Sequence, residues 1–406
     1  MKNTVKAGAA VFAIAALAIG SSACDGAKRA GGAGASIARI DDGNAAASIR
    51  AQARALALAL SDGELAGQLI MGGIDAAPAL DAGERARLER VKPGAIMLFR
   101  KNLATDKRSI RNMTAEIAAL YDDASGGRGA PAPFIAVDNE GGAVHRFGAE
   151  VERLPSALSY GNLAKMEGEA AALKKIGEDA RRAAREMAAL GINMNLAPVA
   201  ELLDDDNASF LGERSYGSES DWVRKASIAF VEGMRKGNVA CVIKHFPGNS
   251  GVDPHKSLPY LRGADVEKKA AVFYEVLAQA APSGVMISHA VVQAWDGARN
   301  ASLSPIVIQD NLIAKGNFGA IILADDFSMG AVSSALSVEE NCVAALNAGC
   351  SMVMAWPANL ASVHNAILVG LRDGTLARKT LVDAASRIIE QKLRLGLIPE
   401  PTAASE

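Results

Sequence analysis

The chain has 406 residues, of which 50% are hydrophobic and 22% are charged, and its formal net charge is −2. That length and apolar content suffice for one large domain or two ordinary ones. The near-neutral charge lacks the basic excess typical of nucleic-acid-binding proteins, so no nucleic-acid partner is expected.

Residues 1–23 have the layout of a secretory signal peptide, with Lys2 and Lys6 ahead of an apolar segment and small residues after it. Cys24 follows at the predicted cleavage point, which is typical of lipid attachment in bacterial lipoproteins. Ser21 stands where such signals usually have leucine, and simple cleavage after Ala23 is the alternative. Both interpretations predict an exported protein, either periplasmic or anchored to a membrane by a lipid.

Residues 24–48 are rich in glycine, alanine and charge, and are predicted to be a flexible tether. Ser61 and Glu64 have the spacing of a capping box and predict the start of a helix. Short apolar runs then alternate with amphipathic segments such as 167–190 and 221–237. The predicted strands are 68–72, 94–99, 134–138, 192–198, 240–246, 284–290, 320–327 and 350–356.

Strands that are apolar on both faces and separated by helices favour a parallel sheet in an α/β protein. Eight such units in about 350 residues predict a (β/α)8 TIM-type barrel. This single catalytic domain is expected over residues 49–400, followed by a disordered tail, 401–406. A doubly wound open sheet is the alternative, although no glycine-rich nucleotide motif follows the early strands.

The cysteines are too few for a disulfide framework. Cys241, Cys342 and Cys350 lie in or beside apolar runs and are expected to be buried free thiols. One bridge between two of them is the alternative. No spacing predicts a metal site.

Polar side chains gather at the C-terminal ends of the predicted strands. In a barrel these ends meet at one face, where active sites are built. Each buried polar group needs a partner, so one shared pocket is simpler than many independent exceptions. The residues are Asp138, Glu140, Asn195, Lys244, His245, His289, Asp325 and Asp326.

The stretch IKHFPGNSGVDPH, residues 243–255, combines a polar strand end with a polar loop. On the loop, Asp253 can accept a hydrogen bond from one ring nitrogen of His255, which leaves the other to move a proton near neutral pH. An Asp-x-His pattern alone is more often a surface pair.

Asp325 and Asp326 directly follow a buried strand. Because neighbouring strand residues point to opposite faces, we expect Asp325 to face the pocket and Asp326 to cap the next turn. A helix N-cap is the alternative for a lone Asp. Asp138 with Arg146 suits sugar hydroxyls, whereas a structural ion pair is the alternative for Glu140 and Arg146.

Several motifs, in order, resemble the family 3 glycoside hydrolases. They are VDNEGG followed by RF, GERSYG, KHFPG followed by DPH, ADDFSMGA and the final ASRIIEQKLRLGLI. The resemblance covers about residues 60–397 and is nearest to the single-domain β-N-acetylglucosaminidases of the NagZ type. It implies a retaining mechanism, with no metal and no organic cofactor.

The resemblance also implies roles for individual residues. Asp325 matches the nucleophile, and His255 with Asp253 matches a His–Asp acid/base dyad in place of the usual second carboxyl group. Five residues match the positions that hold a terminal N-acetylglucosamine, namely Asp138, Arg146, Arg214, Lys244 and His245.

The chain departs from the family pattern at three places. The loop GNSGVDPH is shorter, Pro254 stiffens the backbone inside the dyad, and Glu201 replaces an aspartate. Two further departures are Ala143, where the family has arginine after Glu-Gly-Gly, and the predicted signal peptide. The resemblance implies an exo-β-N-acetylglucosaminidase acting on peptidoglycan fragments or chitin-type oligosaccharides. The N-terminal sequence predicts that it is exported, and we expect a monomer. The alternatives are a phosphorylase of the same glycosides, a β-glucosidase or β-xylosidase of the family, and a catalytically silent sugar-binding lipoprotein.

Overall fold

The computed structural model describes residues 34–75, 79–121, 129–263, 265–330, 332 and 336–398. The chain divides into two units, residues 1–46 and 47–406. In the first unit, the described residues belong to helix α1, Gly34–Ala59, which begins within the segment expected to be a tether. The predicted signal peptide, Cys24 and the tail 401–406 lie outside the described residues.

Ten strands occur among the described residues of the second unit. All but β6 and β8 form one sheet in the order β10-β1-β2-β3-β4-β5-β7-β9, and every pairing in it is parallel. The strands are β1 (Ile70–Gly73), β2 (Ala95–Leu98), β3 (Phe134–Val137), β4 (Met194–Asn195), β5 (Ala240–Phe246), β6 (Tyr260–Leu261), β7 (Gly284–Ile287), β8 (Val291–Val292), β9 (Ile321–Ala324) and β10 (Val353–Ala355).

The first and last strands of this order meet and close the sheet. Leu323 and Met352 form a parallel bridge between the β9 and β10 segments, and the Ala324 amide donates to the Met352 carbonyl at 3.0 Å. The predicted (β/α)8 TIM-type barrel is therefore confirmed, and the open doubly wound sheet is wrong. All eight predicted strands are present, mostly shorter than predicted, whereas the small β6–β8 pair was not predicted.

Helices surround the barrel. The capping box is confirmed, because Ser61 accepts from the Glu64 amide while the Glu64 carboxylate accepts from the Ser61 amide. No helix in the described ranges is long and apolar enough to cross a membrane. The helices after α1 are α2 (Asp62–Gln68), α3 (Ala82–Val91), α4 (Arg100–Leu103), α5 (Lys107–Ala119), α6 (Ala157–Glu167), α7 (Glu169–Ala188), α8 (Ala208–Leu211), α9 (Ser220–Lys236), α10 (Asp265–Ala280), α11 (Val338–Ala348), α12 (Leu360–Asp373) and α13 (Arg378–Arg394), with a π-helix over Ile306–Lys315.

Small residues let neighbouring helices approach closely. A Cβ added to Gly233 of α9 would lie 2.6 Å from the Gly177 carbonyl oxygen and 2.7 Å from Ala180 Cβ, both in α7. The small residues at this contact therefore allow α7 and α9 to pack closely against each other.

The three cysteines of the barrel domain are buried and free, so the predicted thiols are confirmed and a bridge between two of them is wrong. Burial raises the pKa of the thiols of Cys241, Cys342 and Cys350.

Candidate active site

A pocket of about 480 Å³ opens at the C-terminal ends of the barrel strands. Because parallel strands bring these ends together, residues far apart in sequence share one cavity. The eight residues to which the resemblance gave catalytic or sugar-binding roles all line it: Asp138, Arg146, Arg214, Lys244, His245, Asp253, His255 and Asp325. Of the other polar strand-end residues that were expected to share the pocket, Glu140 and Asp326 line it, whereas Asn195 and His289 are not among its lining residues.

Lys244, in β5, lies between two carboxylates. Its Nζ donates to Asp138 Oδ1 at 2.7 Å and lies 2.7 Å from Glu140 Oε1. Arg214 forms a two-pronged bond to Glu140, with Nε to Oε2 at 2.8 Å and Nη2 to Oε1 at 2.9 Å. The cluster therefore presents alternating acceptors and donors, which suits a polyhydroxylated ligand.

The charges in this cluster stabilise one another. Burial opposes ionisation of Glu140, but attraction to Lys244 and Arg214 outweighs it and lowers the pKa of Glu140. Burial also opposes the charge on Lys244, but Asp138 and Glu140 raise its pKa. Both groups are held in their charged forms.

The alternative of an ion pair between Glu140 and Arg146 is wrong. Glu140 is paired with Lys244 and Arg214, while Arg146 Nη2 lies 3.6 Å from Asp138 Oδ2. Sequence proximity favoured the wrong partner, because the turn after β3 places Glu140 against Lys244 of β5 and Arg214 of the loop after β4. Its place at a strand end was the available signal that it belongs to the pocket.

Lys244 and His245 both line the pocket although they are adjacent in β5. Alternation along a regular strand would separate them, but the pairing of β5 with β7 shifts register between Ile243 and Phe246. This irregularity allows both side chains to serve one site.

Glu201 supports His245 and the loop that follows β5. Its Oε1 lies 2.5 Å from His245 Nδ1, and its Oε2 accepts from the Asn249 amide at 2.6 Å. A carboxylate acceptor at Nδ1 requires a proton on that nitrogen and leaves Nε2 as the other functional atom. Glu201, at the place where the family pattern has aspartate, is thus a supporting residue that sequence reasoning noted only as a departure.

Asp325 is half-buried in the pocket wall directly after β9. Desolvation opposes its ionisation, but attraction to His245 and His289 outweighs this and lowers the pKa of Asp325. Its Oδ1 accepts from the neighbouring Asp326 amide at 2.9 Å. A helix N-cap is not its role, since no helix begins there among the described residues, and the ionised carboxylate is suited to nucleophilic attack.

Asp326 caps the next turn, as predicted. Its Oδ1 accepts from the Ser328 amide at 2.8 Å, and its Oδ2 accepts from Trp356 Nε1 at 2.9 Å. His289 Nε2 donates to the Asp326 carbonyl at 3.1 Å. Two other strand ends therefore fix the backbone that carries Asp325.

The loop with Asp253 and His255 forms a tight turn at the edge of the pocket. The Lys256 amide donates to the Asp253 carbonyl at 2.9 Å, so Asp253, Pro254 and His255 occupy the first three turn positions. Asp253 Oδ1 accepts from the His255 amide at 3.0 Å and from its Nδ1 at 2.9 Å. Desolvation opposes ionisation of Asp253, but the hydrogen bond to His255 outweighs it and lowers the pKa of Asp253.

Proline is compatible with this turn, because the second position of common β-turns has a φ close to the value that the ring fixes. With Pro254 in this position, Asp253 and His255 form the hydrogen bond that the sequence predicted. The Asp253–His255 pair lines the pocket and is not a remote surface pair.

An aromatic pair that sequence reasoning missed forms part of the pocket rim. Phe99, after β2, and Trp356, after β10, meet edge to face with ring centroids 5.2 Å apart. Among the described residues, no group of three or more His, Cys, Asp or Glu side chains is arranged to hold a metal ion.

Comparison with known proteins assigns the chain to a family. The sequence pattern of the family described as "Glycosyl hydrolase family 3 N terminal domain" matches residues 63–391. The chain belongs to glycosyl hydrolase family 3. This family 3 chain is a glycosidase, and it is 34% identical to a "Beta-hexosaminidase" of Methylococcus capsulatus over 283 residues, which cover 68% of the chain and 79% of that protein.

Other relatives agree with this assignment. A Neisseria meningitidis "Beta-hexosaminidase" is 31% identical over 70% of the family 3 chain and 77% of its own length. A solved family 3 β-N-acetylglucosaminidase from Paenibacillus superposes with a TM-score of 0.77 at 26% identity, over 86% of the chain and 65% of that longer protein. A β-N-acetylhexosaminidase from Beutenbergia cavernae has a TM-score of 0.71 at 25% identity, over 81% and 97%.

Proposed function

We propose that this family 3 glycosidase is a retaining exo-β-N-acetylglucosaminidase that removes terminal N-acetylglucosamine. The observation that carries the proposal is one pocket lined by an ionised Asp325 and by a hydrogen-bonded His255–Asp253 pair. A sugar-binding protein without activity needs neither group. The names of the relatives support N-acetylhexosamine as the sugar.

In the proposed first step, Asp325 attacks the anomeric carbon while the Nε2 of protonated His255 gives its proton to the leaving oxygen. A covalent glycosyl-enzyme results. In the second step neutral His255 takes a proton from water, and the hydroxyl group displaces Asp325. Asp253 accepts from Nδ1 throughout, so it keeps the ring oriented and stabilises the imidazolium.

The buried charge cluster would hold the sugar. Carboxylate oxygens of Asp138 accept from hydroxyl groups, while Arg146, Arg214 and Lys244 donate. Because Lys244 and Arg214 are already fixed by Glu140, little reorganisation is needed when the sugar binds. His245, held by Glu201, would present its Nε2 to the same ligand.

The decisive experiment compares hydrolysis of an aryl N-acetylglucosaminide with that of an aryl glucoside, with and without phosphate. The proposal expects the first to be strongly preferred and free N-acetylglucosamine to be the product. The sugar 1-phosphate as the main product would instead establish a phosphorylase, and preference for the glucoside would contradict the assigned sugar.

Variants test the two catalytic groups. Asp325→Ala should abolish turnover with the fold intact; substantial remaining activity would show that the nucleophile is another residue. His255→Ala should reduce kcat/KM for alkyl glycosides by about 100-fold or more and for dinitrophenyl glycosides far less, because kcat/KM reports formation of the glycosyl-enzyme, in which a good leaving group needs no proton. Equal losses on both substrates would contradict the acid role.

We also propose that the enzyme is exported and carries a lipid on Cys24. Outside the cytoplasm it would act on peptidoglycan fragments or chitin-type oligosaccharides. The support is the order of the N-terminal sequence, with basic residues, an apolar segment and a cysteine. Metabolic labelling with a fatty acid in a bacterial host should mark the wild type and not Cys24→Ala. Labelling of both, or an intact N-terminus in the cytoplasm, would refute this part.

A further inference from the structure

The loop that carries Asp325 also contacts the turn that carries His255. The Gly330 amide, five residues after Asp325, donates to the carbonyl oxygen of His255 at 3.2 Å. Among the described residues, this is the one backbone hydrogen bond that ties residues 253–257 to another part of the chain. The His255 side chain is 68% exposed, so packing around the ring does little to fix it.

The contact is close enough to exclude any side chain at position 330. A Cβ added to Gly330 would lie 2.6 Å from the His255 carbonyl oxygen and 3.1 Å from that of Lys256. Real Cβ atoms do not approach backbone atoms to 2.6 Å, so the turn would have to move away. Gly330 does not have a positive φ, and the backbone itself would accept alanine.

We propose that Gly330 is a positioning residue that holds the Asp253–Lys256 turn, and with it His255, in place. The proposal rests on the proposed roles of His255 and Asp325. The Asp253–Lys256 turn is already closed by its own hydrogen bonds, so its internal shape is set and the contact with Gly330 fixes its position. Because Gly330 lies on the same loop as Asp325, this contact fixes the position of His255 relative to the nucleophile and to the leaving oxygen that His255 protonates.

Gly330→Ala tests whether this contact positions His255, with Gly319→Ala as the matched control. Gly319 precedes β9, and an added Cβ there meets nothing within 4 Å. We expect Gly330→Ala to lower kcat/KM for an alkyl N-acetylglucosaminide by about 10-fold or more, since a displacement of about 1 Å is that costly. The loss on the dinitrophenyl glycoside should stay below about 3-fold, because that substrate needs no acid. Gly319→Ala should leave both unchanged.

Equal losses on the two substrates, or no loss on either, would overturn the proposal. A failure of the proposed function is distinguishable, because His255→Ala would then itself show no dependence on the leaving group. If Gly330→Ala does not fold, hydrogen exchange on the wild-type enzyme decides. Protection of the Gly330 amide would support a lasting contact with the His255 carbonyl, and exchange at the rate of a free amide would refute the proposal.

Discussion

At the scale of single residues, Glu140 links the cations of the pocket into one charged cluster. Its carboxylate is buried and binds two cations, Lys244 of β5 and Arg214 of the loop between β4 and α9. Removing one member of a buried charged group leaves the others without compensation, which costs more than the intact group contributes.

We therefore predict that Glu140→Gln lowers the free energy of unfolding by about 3 kcal/mol near neutral pH. The folded-state pKa of Glu140 is lowered, so its stabilisation is complete above the unfolded value of 4.5 and is lost as the pH falls below it. Denaturant unfolding from pH 7 to pH 3 should show a difference between wild type and variant that is constant down to about pH 5 and then shrinks. A difference independent of pH, or one matched by the exposed control Glu89→Gln, would contradict this account.

The sequence identified residue types at this scale better than it identified partners. Lys244 and Asp325 stood out as polar groups at the ends of apolar strands, and both line the pocket. The partner of Glu140 could not be chosen, because Arg146 is near in sequence whereas Arg214 is near in space. Glu201 and Trp356 had no signal strong enough to place them in the site.

At the scale of elements, the shortened loop after β5 raised the question of whether Pro254 obstructs the dyad. The turn Asp253–Lys256 gives the answer, because proline occupies the second position, where its fixed φ is suitable. The pyrrolidine ring of Pro254 reduces the number of backbone conformations open to the loop before substrate binds. Pro254 therefore favours the conformation in which Asp253 and His255 meet.

We predict that Pro254→Ala lowers kcat/KM for alkyl glycosides by about 2- to 5-fold, which corresponds to about 0.4–1 kcal/mol of lost preorganisation. The dinitrophenyl substrate should be nearly unaffected. Steady-state kinetics on both substrates provide the measurement, and Pro305→Ala, at an exposed position before the π-helix, is the control. Faster turnover of alkyl glycosides by Pro254→Ala would instead show that the proline restricts a required motion.

At the scale of the whole molecule, closure of the barrel brings the site together. The β9–β10 contact brings Asp325 and Trp356 beside residues that follow β2 and β3, such as Phe99 and Asp138, far earlier in the chain. Without that closure the strand ends would still be polar, but they would lie along an open edge. The 480 Å³ pocket is a consequence of the closed parallel sheet.

The sequence by itself determined the eight strands, their parallel arrangement and the residue types of the site. Apolar runs specify buried strands locally, and the motifs Lys244–Gly248 and Asp325–Gly330 are contiguous. Only the tertiary structure decided which charges pair, that Glu201 holds His245, and that Gly330 contacts the acid/base turn. These contacts join residues far apart in the chain, and their distances depend on backbone geometry that no local pattern encodes.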